Sequence, residues 1–253
     1  MQVWFVGAGP GDPELLTLKA ARLLGAADCC IYAGSLVPAA VLDLLPASAE
    51  RFDSARMDLA EIVKAMVLAA RAGKNVVRLH SGDPSLYGAI NEQMRELDKA
   101  GVRCAVVPGV SSFLAAAAAL RTELTAPDIS QTVVLTRASG RTPKPERESL
   151  AAIAGLGATV CLFLSGDKLE ESARDLQSGY GADCPASVVY HASRPDQRIV
   201  SGTLRDIARL AGEAGIGRTA MVVVGGILSG AGGDSLLYSP SFGHGYRERR
   251  DQP

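Results

Sequence analysis

The sequence begins with a glycine-rich turn that directly follows a short apolar run. Residues 3–6 read Val-Trp-Phe-Val, residues 7–13 read Gly-Ala-Gly-Pro-Gly-Asp-Pro, and a helical pattern of leucines comes next. Glycines let a backbone approach a small molecule closely and adopt positive φ, whereas prolines stiffen the turn and remove backbone donors. The pattern predicts a strand, a ligand-cradling loop and a helix in succession. A tight turn that binds nothing is the alternative.

This turn only partly resembles the fingerprint of dinucleotide-binding proteins. Asp12 stands where that fingerprint requires its third glycine. Residues 33–36, which follow the second predicted strand, contain no carboxylate that could hold a ribose. These two departures argue against a nicotinamide or flavin cofactor.

The composition is that of a globular protein with almost no net charge. Of its 253 residues 47% are hydrophobic and 21% are charged, and the formal net charge is -1. A chain of this length forms one large domain or two modest ones, and either can bury a core. The charge balance argues against general attraction to nucleic acid or to an acidic membrane, so any anion site must be local.

Cysteines and histidines do not follow the spacing of a metal or redox site. The five cysteines lack paired short spacings, and His80, His191 and His244 stand alone. We therefore expect no protein-bound metal and a reducing, cytoplasmic environment. The sequence also shows no signal-like region and no apolar run approaching the roughly 20 residues that span a membrane.

The first half alternates short apolar runs with helical patterns, which predicts a mostly parallel sheet with helices on both faces. Its predicted strands cover residues 3–6, 28–32, 75–79 and 102–107. The second half predicts another α/β domain with strands at 132–136, 159–164, 186–190, 198–200 and 220–224. Several of these are too close for helical crossovers, which indicates a mixed sheet. We expect domains at 1–120 and 128–240, followed by a tail at 241–253.

Glycines and short polar residues recur at the ends of the predicted strands, in residues 32–38, 80–88, 108–113 and 136–137. Open α/β sheets bind ligands at such ends. Taken singly, Asp83 could form only an Asx turn and Ser111 only a helix cap. Their recurrence favours a shared binding site.

A basic segment follows the first strand of the second half, and glycine and proline residues interrupt it. Its cationic residues are Arg137, Arg141, Lys144 and Arg147. It is either a solvated loop or a flap that gathers a polyanionic ligand, since guanidinium groups suit carboxylates. Arg194 and Arg198 are candidates for extending such a flap.

Taken together, these segments resemble the tetrapyrrole methylase family over nearly the whole chain. The shared motifs are Gly-Ala-Gly-Pro-Gly-Asp-Pro-Glu-Leu at 7–15, Ser-Gly-Asp-Pro at 81–84 and Pro-Gly-Val-Ser-Ser at 108–112. A narrower resemblance, to the branch that methylates carbon 11 of precorrin-4, rests on residues 32–37, 80–90, 130–137, 140–143 and 242–247.

The resemblance implies a fold of two α/β domains with S-adenosylmethionine in the cleft between them, and usually a homodimer. It implies methyl transfer to carbon 11 of precorrin-4, giving precorrin-5 and S-adenosylhomocysteine, in cobalamin biosynthesis. Precorrin-4 and its cobalt complex both remain open as substrates, and we favour the metal-free form. A sister methylase with a different target and a non-catalytic tetrapyrrole or cofactor carrier also remain open.

The resemblance also assigns residues to the site. The cofactor contacts would be Pro10, Ser81, Gly82, Asp83, Ser111, Ser112, Leu164 and Ala220. The tetrapyrrole contacts would be Tyr32, Ser35, Tyr87 and Arg137. Placement alone makes Asp83 and Tyr87 candidates for assisting a proton shift. Leu164 and Ala220 lie in apolar strands, where packing alone would also explain them.

Overall fold

The computed structural model describes residues 2–34, 36–138, 144–163, 168–230, 232–233 and 235–249. By its contacts the chain divides into two compact units. Unit 1 comprises Met1–Ala116 and His191–Arg198, and unit 2 comprises Ala117–Tyr190 and Ile199–Pro253. The domain boundaries expected from the sequence, at 120, 128 and 240, stay predictions.

Unit 1 is built on a sheet of five parallel strands in the order β3-β2-β4-β1-β5. The strands are β1 (Gln2–Gly7), β2 (Cys29–Tyr32), β3 (Glu50–Asp53), β4 (Val76–His80) and β5 (Arg103–Val107). The helices are α1 (Leu18–Gly25), α2 (Ala39–Leu42), α3 (Leu59–Arg71), α4 (Ile90–Lys99) and α5 (Ser112–Leu120), of which residues 112–116 belong to unit 1. Short 3-10 turns lie at Pro13–Leu15 and Ser54–Arg56.

Alternating side chains of these strands fill a core on each face of the sheet. On one face Val6 and Leu79 pack with Leu24 of α1. On the other face Phe5 packs with Met66 of α3 and other apolar residues. The apolar stripes of the helices thus cover both faces of a sheet that is buried at its centre, as expected for a parallel sheet.

Unit 2 contains a mixed sheet in the order β6-β7-β10-β8-β9. The strands are β6 (Val133–Arg137), β7 (Thr159–Phe163), β8 (Pro185–Tyr190), β9 (Arg198–Thr203) and β10 (Ala220–Val224). The helices are α6 (Leu150–Ala154), α7 (Leu169–Tyr180) and α8 (Ile207–Glu213), with 3-10 turns at Glu146–Glu148, Gly226–Ser229 and Leu236–Tyr238. β6 and β7 are parallel, whereas β10 runs antiparallel to both of its neighbours.

The predicted fold class, an α/β protein with a parallel first sheet and a mixed second sheet, is confirmed. One strand of the first sheet, β3, was not predicted. All five cysteines are free thiols. In the described ranges, no helix combines the length and the apolar character that crossing a membrane requires.

Candidate functional site

Three loops begin side by side at the carboxyl edge of the unit 1 sheet. β1 lies between β4 and β5, with Gly7 opposite His80 and Val6 opposite Val107. All three strands are parallel, so the loops that follow them leave the sheet at the same edge. The order of the strands thus brings together the loops after β1 and β5, which lie about 100 residues apart in sequence.

Glycines allow these loops to cross in direct backbone contact. A Cβ atom on Gly7 would lie 2.6 Å from both Gly109 Cα and the carbonyl oxygen of Gly82, which leaves no room for a side chain. The Gly82 N–H donates to the Gly9 carbonyl at 2.8 Å, and the Gly9 N–H donates back at 3.3 Å. Gly9 and Gly82 both have positive φ, at 68° and 62°. Main chain, rather than side chains, therefore forms this part of the site.

Asp83 fastens two of the loops to each other. Its Oδ2 accepts a hydrogen bond from the Gly109 N–H at 2.9 Å, and its Oδ1 accepts one from the Ser85 N–H at 2.8 Å. The second bond is the Asx turn considered from the sequence. The first bond joins residues 26 positions apart and sets the distance between the loops after β4 and β5.

The serines predicted to bind the cofactor lie at the start of α5. Ser111 is buried, and its carbonyl accepts hydrogen bonds from Leu114 and Ala115 as the helix begins. A Cβ atom on Gly82 would lie 3.6 Å from Ser111 Cα and 3.9 Å from the Ser112 nitrogen. Helix N-termini present unpaired N–H groups and a partial positive charge, which suit a carboxylate or phosphate.

Six of the predicted cofactor residues therefore belong to the three loops at one edge of unit 1. They are Pro10, Ser81, Gly82, Asp83, Ser111 and Ser112. Pro10 is buried in the first loop. The convergence of these loops is the feature on which the binding interpretation depends.

Two predicted tetrapyrrole residues flank this edge. Tyr32 ends β2, where it lies opposite Leu79 of β4, and its carbonyl accepts a hydrogen bond from Ser54 Oγ at 2.9 Å. Tyr87 follows the Asp83 turn, has a φ of 57° and keeps 54% of its surface exposed. Ser35, predicted with them, lies outside the described residues.

The segment His191–Arg198, although distant in sequence, covers the first glycine loop. Ser193 Oγ accepts a hydrogen bond from the Asp12 N–H at 3.1 Å. A Cβ atom on Gly11, whose φ is +155°, would lie 2.9 Å from Arg194 Nε. Arg194 also donates from Nη2 to the Leu36 carbonyl at 2.6 Å. The sequence made Arg194 a candidate for the basic flap; in the structure its side chain packs on Gly11.

The remaining predicted residues belong to unit 2. Arg137 ends β6, and its carbonyl accepts a hydrogen bond at 3.1 Å from Lys144, which also donates to Thr136 Oγ1 at 2.6 Å. Burial lowers the pKa of Lys144. Ala220 begins β10 and is buried in the core of unit 2. Leu164 and residues 139–143 of the basic segment, including Arg141, lie outside the described residues.

Comparison with known proteins assigns the family. The family described as Tetrapyrrole (Corrin/Porphyrin) Methylases matches residues 2–208. The chain belongs to the tetrapyrrole methylase family. This match contains all three loops of unit 1 and the segment His191–Arg198, and it confirms the resemblance that the sequence motifs indicate.

Named relatives of this methylase cover nearly its full length. A cobalt-precorrin-4 C(11)-methyltransferase of Methanocaldococcus jannaschii is 48% identical over 98% of this chain and 96% of the relative. A precorrin-4 C(11)-methyltransferase of Rhodococcus erythropolis is also 48% identical, over 94% of this chain and 97% of the relative.

Solved structures of the same family share the fold. A cobalt precorrin-4 methyltransferase superposes with a TM-score of 0.86 at 45% identity, covering 90% of this chain and 95% of the other. A uroporphyrin-III C-methyltransferase from Thermus thermophilus, described as a complex with S-adenosylhomocysteine, gives a TM-score of 0.75 at 30% identity, covering 90% and 99%.

His80 ends β4, directly before the loop that contains Asp83. Its ring stacks on Phe5 with centroids 5.9 Å apart, and it is only 5% exposed. Burial, and then the charge of Arg78, lowers its pKa to about 3. The imidazole is therefore neutral at neutral pH. Across the described residues, His, Cys, Asp and Glu do not gather into a group of three or more that could hold a metal ion.

Proposed function

We propose that this tetrapyrrole methylase transfers the methyl group of S-adenosylmethionine to carbon 11 of precorrin-4. The products are precorrin-5 and S-adenosylhomocysteine, within cobalamin biosynthesis. The observation that carries the proposal is the crossing of three glycine-containing loops beside the start of α5. Full-length relatives named for this reaction at 48% identity supply the substrate.

The loops of unit 1 fit the donor chemically. Close main-chain packing at Gly7, Gly82 and Gly109 keeps side chains out of the loop crossing, so that a ligand can approach the backbone there. The first turn of α5, with Ser111 and Ser112, suits the carboxylate of the methionine moiety. We assign the donor to Pro10, Ser81, Gly82, Asp83, Ser111 and Ser112, and we add Leu164 and Ala220 from the family resemblance alone.

The protein's contribution to the reaction is alignment. Bound S-adenosylmethionine supplies an already activated methyl group, and the electron-rich macrocycle supplies the carbon nucleophile. The loops therefore need to orient the two molecules and exclude water, which together can lower the barrier substantially without a tuned acid and base. Tyr32 and Tyr87 are assigned to the tetrapyrrole, together with Ser35 and Arg137.

The hydrogen bonds of Asp83 favour a positioning role over proton transfer. Both carboxylate oxygens already accept backbone N–H groups of the loops. We expect Asp83→Asn, which replaces one acceptor by a donor, to weaken S-adenosylhomocysteine binding about tenfold. Its single-turnover rate at saturating donor should change less than threefold. A drop of about a hundredfold at saturation would instead make Asp83 a catalytic residue.

The decisive experiment is an isotope assay with the purified protein. Precorrin-4 and cobalt-precorrin-4 are each supplied with S-adenosylmethionine that carries a ¹³C-labelled methyl group, and the product is analysed by NMR. Label at carbon 11 supports the proposal, and the faster substrate identifies the metal state. Label at another ring carbon indicates a sister methylase, whereas label that stays on sulfur indicates a carrier.

We also propose that the enzyme is a homodimer, as the family resemblance implies, and that it is cytoplasmic, as the cysteine pattern indicates. The free thiols of all five cysteines are compatible with a reducing compartment. Light scattering at micromolar concentration tests the dimer, and a monomer mass would contradict it.

A further inference from the structure

A charged side chain is buried in the middle of the parallel sheet. Arg78 lies in β4 between Val77 and Leu79 and is only 5% exposed. Its side chain donates to neutral groups: Nε donates to Gln93 Oε1 at 3.0 Å, and Nη1 donates to the Ile31 carbonyl at 3.3 Å. The ion pairs found among the described residues do not include it. Burying a guanidinium without a counter-ion is costly, so its neutral partners must compensate.

Gln93 extends this contact to the start of α4. The side chain is 4% exposed, and its Nε2 donates to the Ala89 carbonyl at 2.8 Å. Its Oε1 is occupied by Arg78, so the two ends of the amide are distinguished and the amide orientation is fixed. Arg78 thereby determines where Gln93 holds Ala89.

The turn that Gln93 holds is strained. Tyr87 and Ala89 both adopt the left-handed conformation, with φ of 57° and 48°, although neither is glycine. Gly88 between them packs so closely that a Cβ atom would lie 2.9 Å from the Pro84 carbonyl carbon. Ala89 is the N-cap residue of α4 and provides no side-chain cap. Strained backbone of this kind persists only where its surroundings enforce it.

The other end of the contact reaches β2. Ile31, whose carbonyl accepts from Arg78, directly precedes Tyr32. The guanidinium therefore connects the end of the strand that carries Tyr32 to the turn that carries Tyr87. In the proposed function both tyrosines belong to the tetrapyrrole side.

We propose that Arg78 and Gln93 are positioning residues that fix the Tyr87 turn against the end of β2 for tetrapyrrole binding. The inference rests on the proposed function. The donor loops have their own ties, through Gly9, Gly82 and Asp83. Loosening the Arg78–Gln93 pair should therefore affect the tetrapyrrole and leave the donor unaffected.

Gln93→Glu tests the pair. The carboxylate still accepts from Arg78, now as an ion pair, but it cannot donate to the Ala89 carbonyl. The variant therefore removes the link to the turn and keeps the link to β2 through Arg78. Gln177→Glu is the matched control, because Gln177 Nε2 donates to the Leu204 carbonyl at the same 2.8 Å within unit 2. Gln93→Met, which removes both bonds, serves if Gln93→Glu does not fold.

Two measurements are made on each full-length variant. For Gln93→Glu we expect the KM for the tetrapyrrole to rise about tenfold, with kcat within threefold and S-adenosylhomocysteine affinity within twofold of wild type. Hydrogen exchange of residues 85–91 in the ligand-free protein should accelerate. The control should change neither quantity.

The outcomes separate the pair from the proposed function. Unchanged exchange at 85–91 overturns the inference, as does an equal loss of donor and tetrapyrrole affinity. Faster exchange together with the selective rise in KM supports it. If the wild-type protein methylates neither form of precorrin-4, the proposed function fails, and with it the assignment of the pair to tetrapyrrole binding, while the exchange result still decides whether the pair holds the turn.

Discussion

The two sheets of this methylase differ in strand direction, and the difference accounts for where a backbone-lined site can form. In unit 1 all strands are parallel, so the loops after β1, β4 and β5 leave at one edge. In unit 2 β10 runs against β7 and β8, so its end lies at the edge opposite theirs. A parallel sheet thus concentrates loops that an antiparallel arrangement distributes over two edges.

The glycines at the loop crossing of unit 1 differ in their surroundings from a glycine in α8 of unit 2. Gly7 and Gly109 of unit 1 contact the backbone of neighbouring loops, whereas a Cβ atom on Gly212 of unit 2 would meet open space. Close approach of the loops therefore requires glycine at positions 7 and 109. In α8 of the second unit glycine is not required in this way.

Alanine substitution at these glycines should give the largest contrast. In Gly109→Ala the new Cβ atom would lie 2.9 Å from Gly7 Cα, and the loops must separate. We expect S-adenosylhomocysteine affinity, measured by calorimetry, to fall more than about a hundredfold, or nearly 3 kcal/mol. Gly212→Ala should keep the affinity and raise the stability of α8 by about 0.5–1 kcal/mol. Equal behaviour of the two variants would remove the contrast.

Acid should destabilise unit 1 through His80. Its folded-state pKa of about 3 lies below the usual value of 6.5, so the unfolded state binds the extra proton first. Stability is therefore complete above pH 6.5 and declines as the pH falls toward 3. Between pH 6.5 and 5 this one group should remove roughly 2 kcal/mol from the free energy of unfolding.

The measurement for His80 is urea unfolding followed by Trp4 fluorescence, since the only tryptophan lies in β1 of unit 1. His80→Phe keeps an aromatic ring beside Phe5 but cannot titrate. The difference between wild type and variant should grow as the pH falls. Parallel curves would show that His80 does not produce the acid sensitivity.

The smallest of the three effects concerns Arg137 of unit 2, which we propose contacts the tetrapyrrole. Arg137 ends β6, and guanidinium groups suit the carboxylates of a tetrapyrrole. We expect Arg137→Ala to weaken tetrapyrrole binding about tenfold, or 1.4 kcal/mol, and to leave donor binding within twofold. Equal losses for both ligands in calorimetry would contradict this assignment of Arg137.

Local sequence patterns were sufficient to predict the positions of the largely apolar strands. β1, β2, β4 and β5 lie close to their predicted ranges because each is a largely apolar run, although β5 at the edge of the sheet is only partly buried. β3 was missed because its sequence, Glu-Arg-Phe-Asp, is exposed throughout and has no apolar run. An edge strand of this kind is held by its pairing with β2, which no local pattern reveals.

The convergence of the three loops was predictable to the same degree. Gly82, Asp83 and Ser111 follow strands, so the sheet topology alone brings their loops together. Arg78 carried a signal that sequence reasoning did not use, because a charge inside an otherwise apolar strand demands a buried partner. The placement of Arg194 on Gly11 depends on a contact between distant segments, and nothing in the local sequence around either residue indicates it.

The segment His191–Arg198 belongs to unit 1, although residues of unit 2 precede and follow it in the chain. The chain leaves unit 1 near Ala116, returns for eight residues, and departs again. A fragment that stops at residue 190 would lack the Arg194 side chain that packs on Gly11. It would also lack Ser193, whose hydroxyl accepts a hydrogen bond from the Asp12 N–H. If the second half were exchanged for that of a sister methylase, the first glycine loop would contact a segment that differs from its own. We expect such chimeras to keep their activity only when His191–Arg198 and the glycine loop that it contacts are exchanged together.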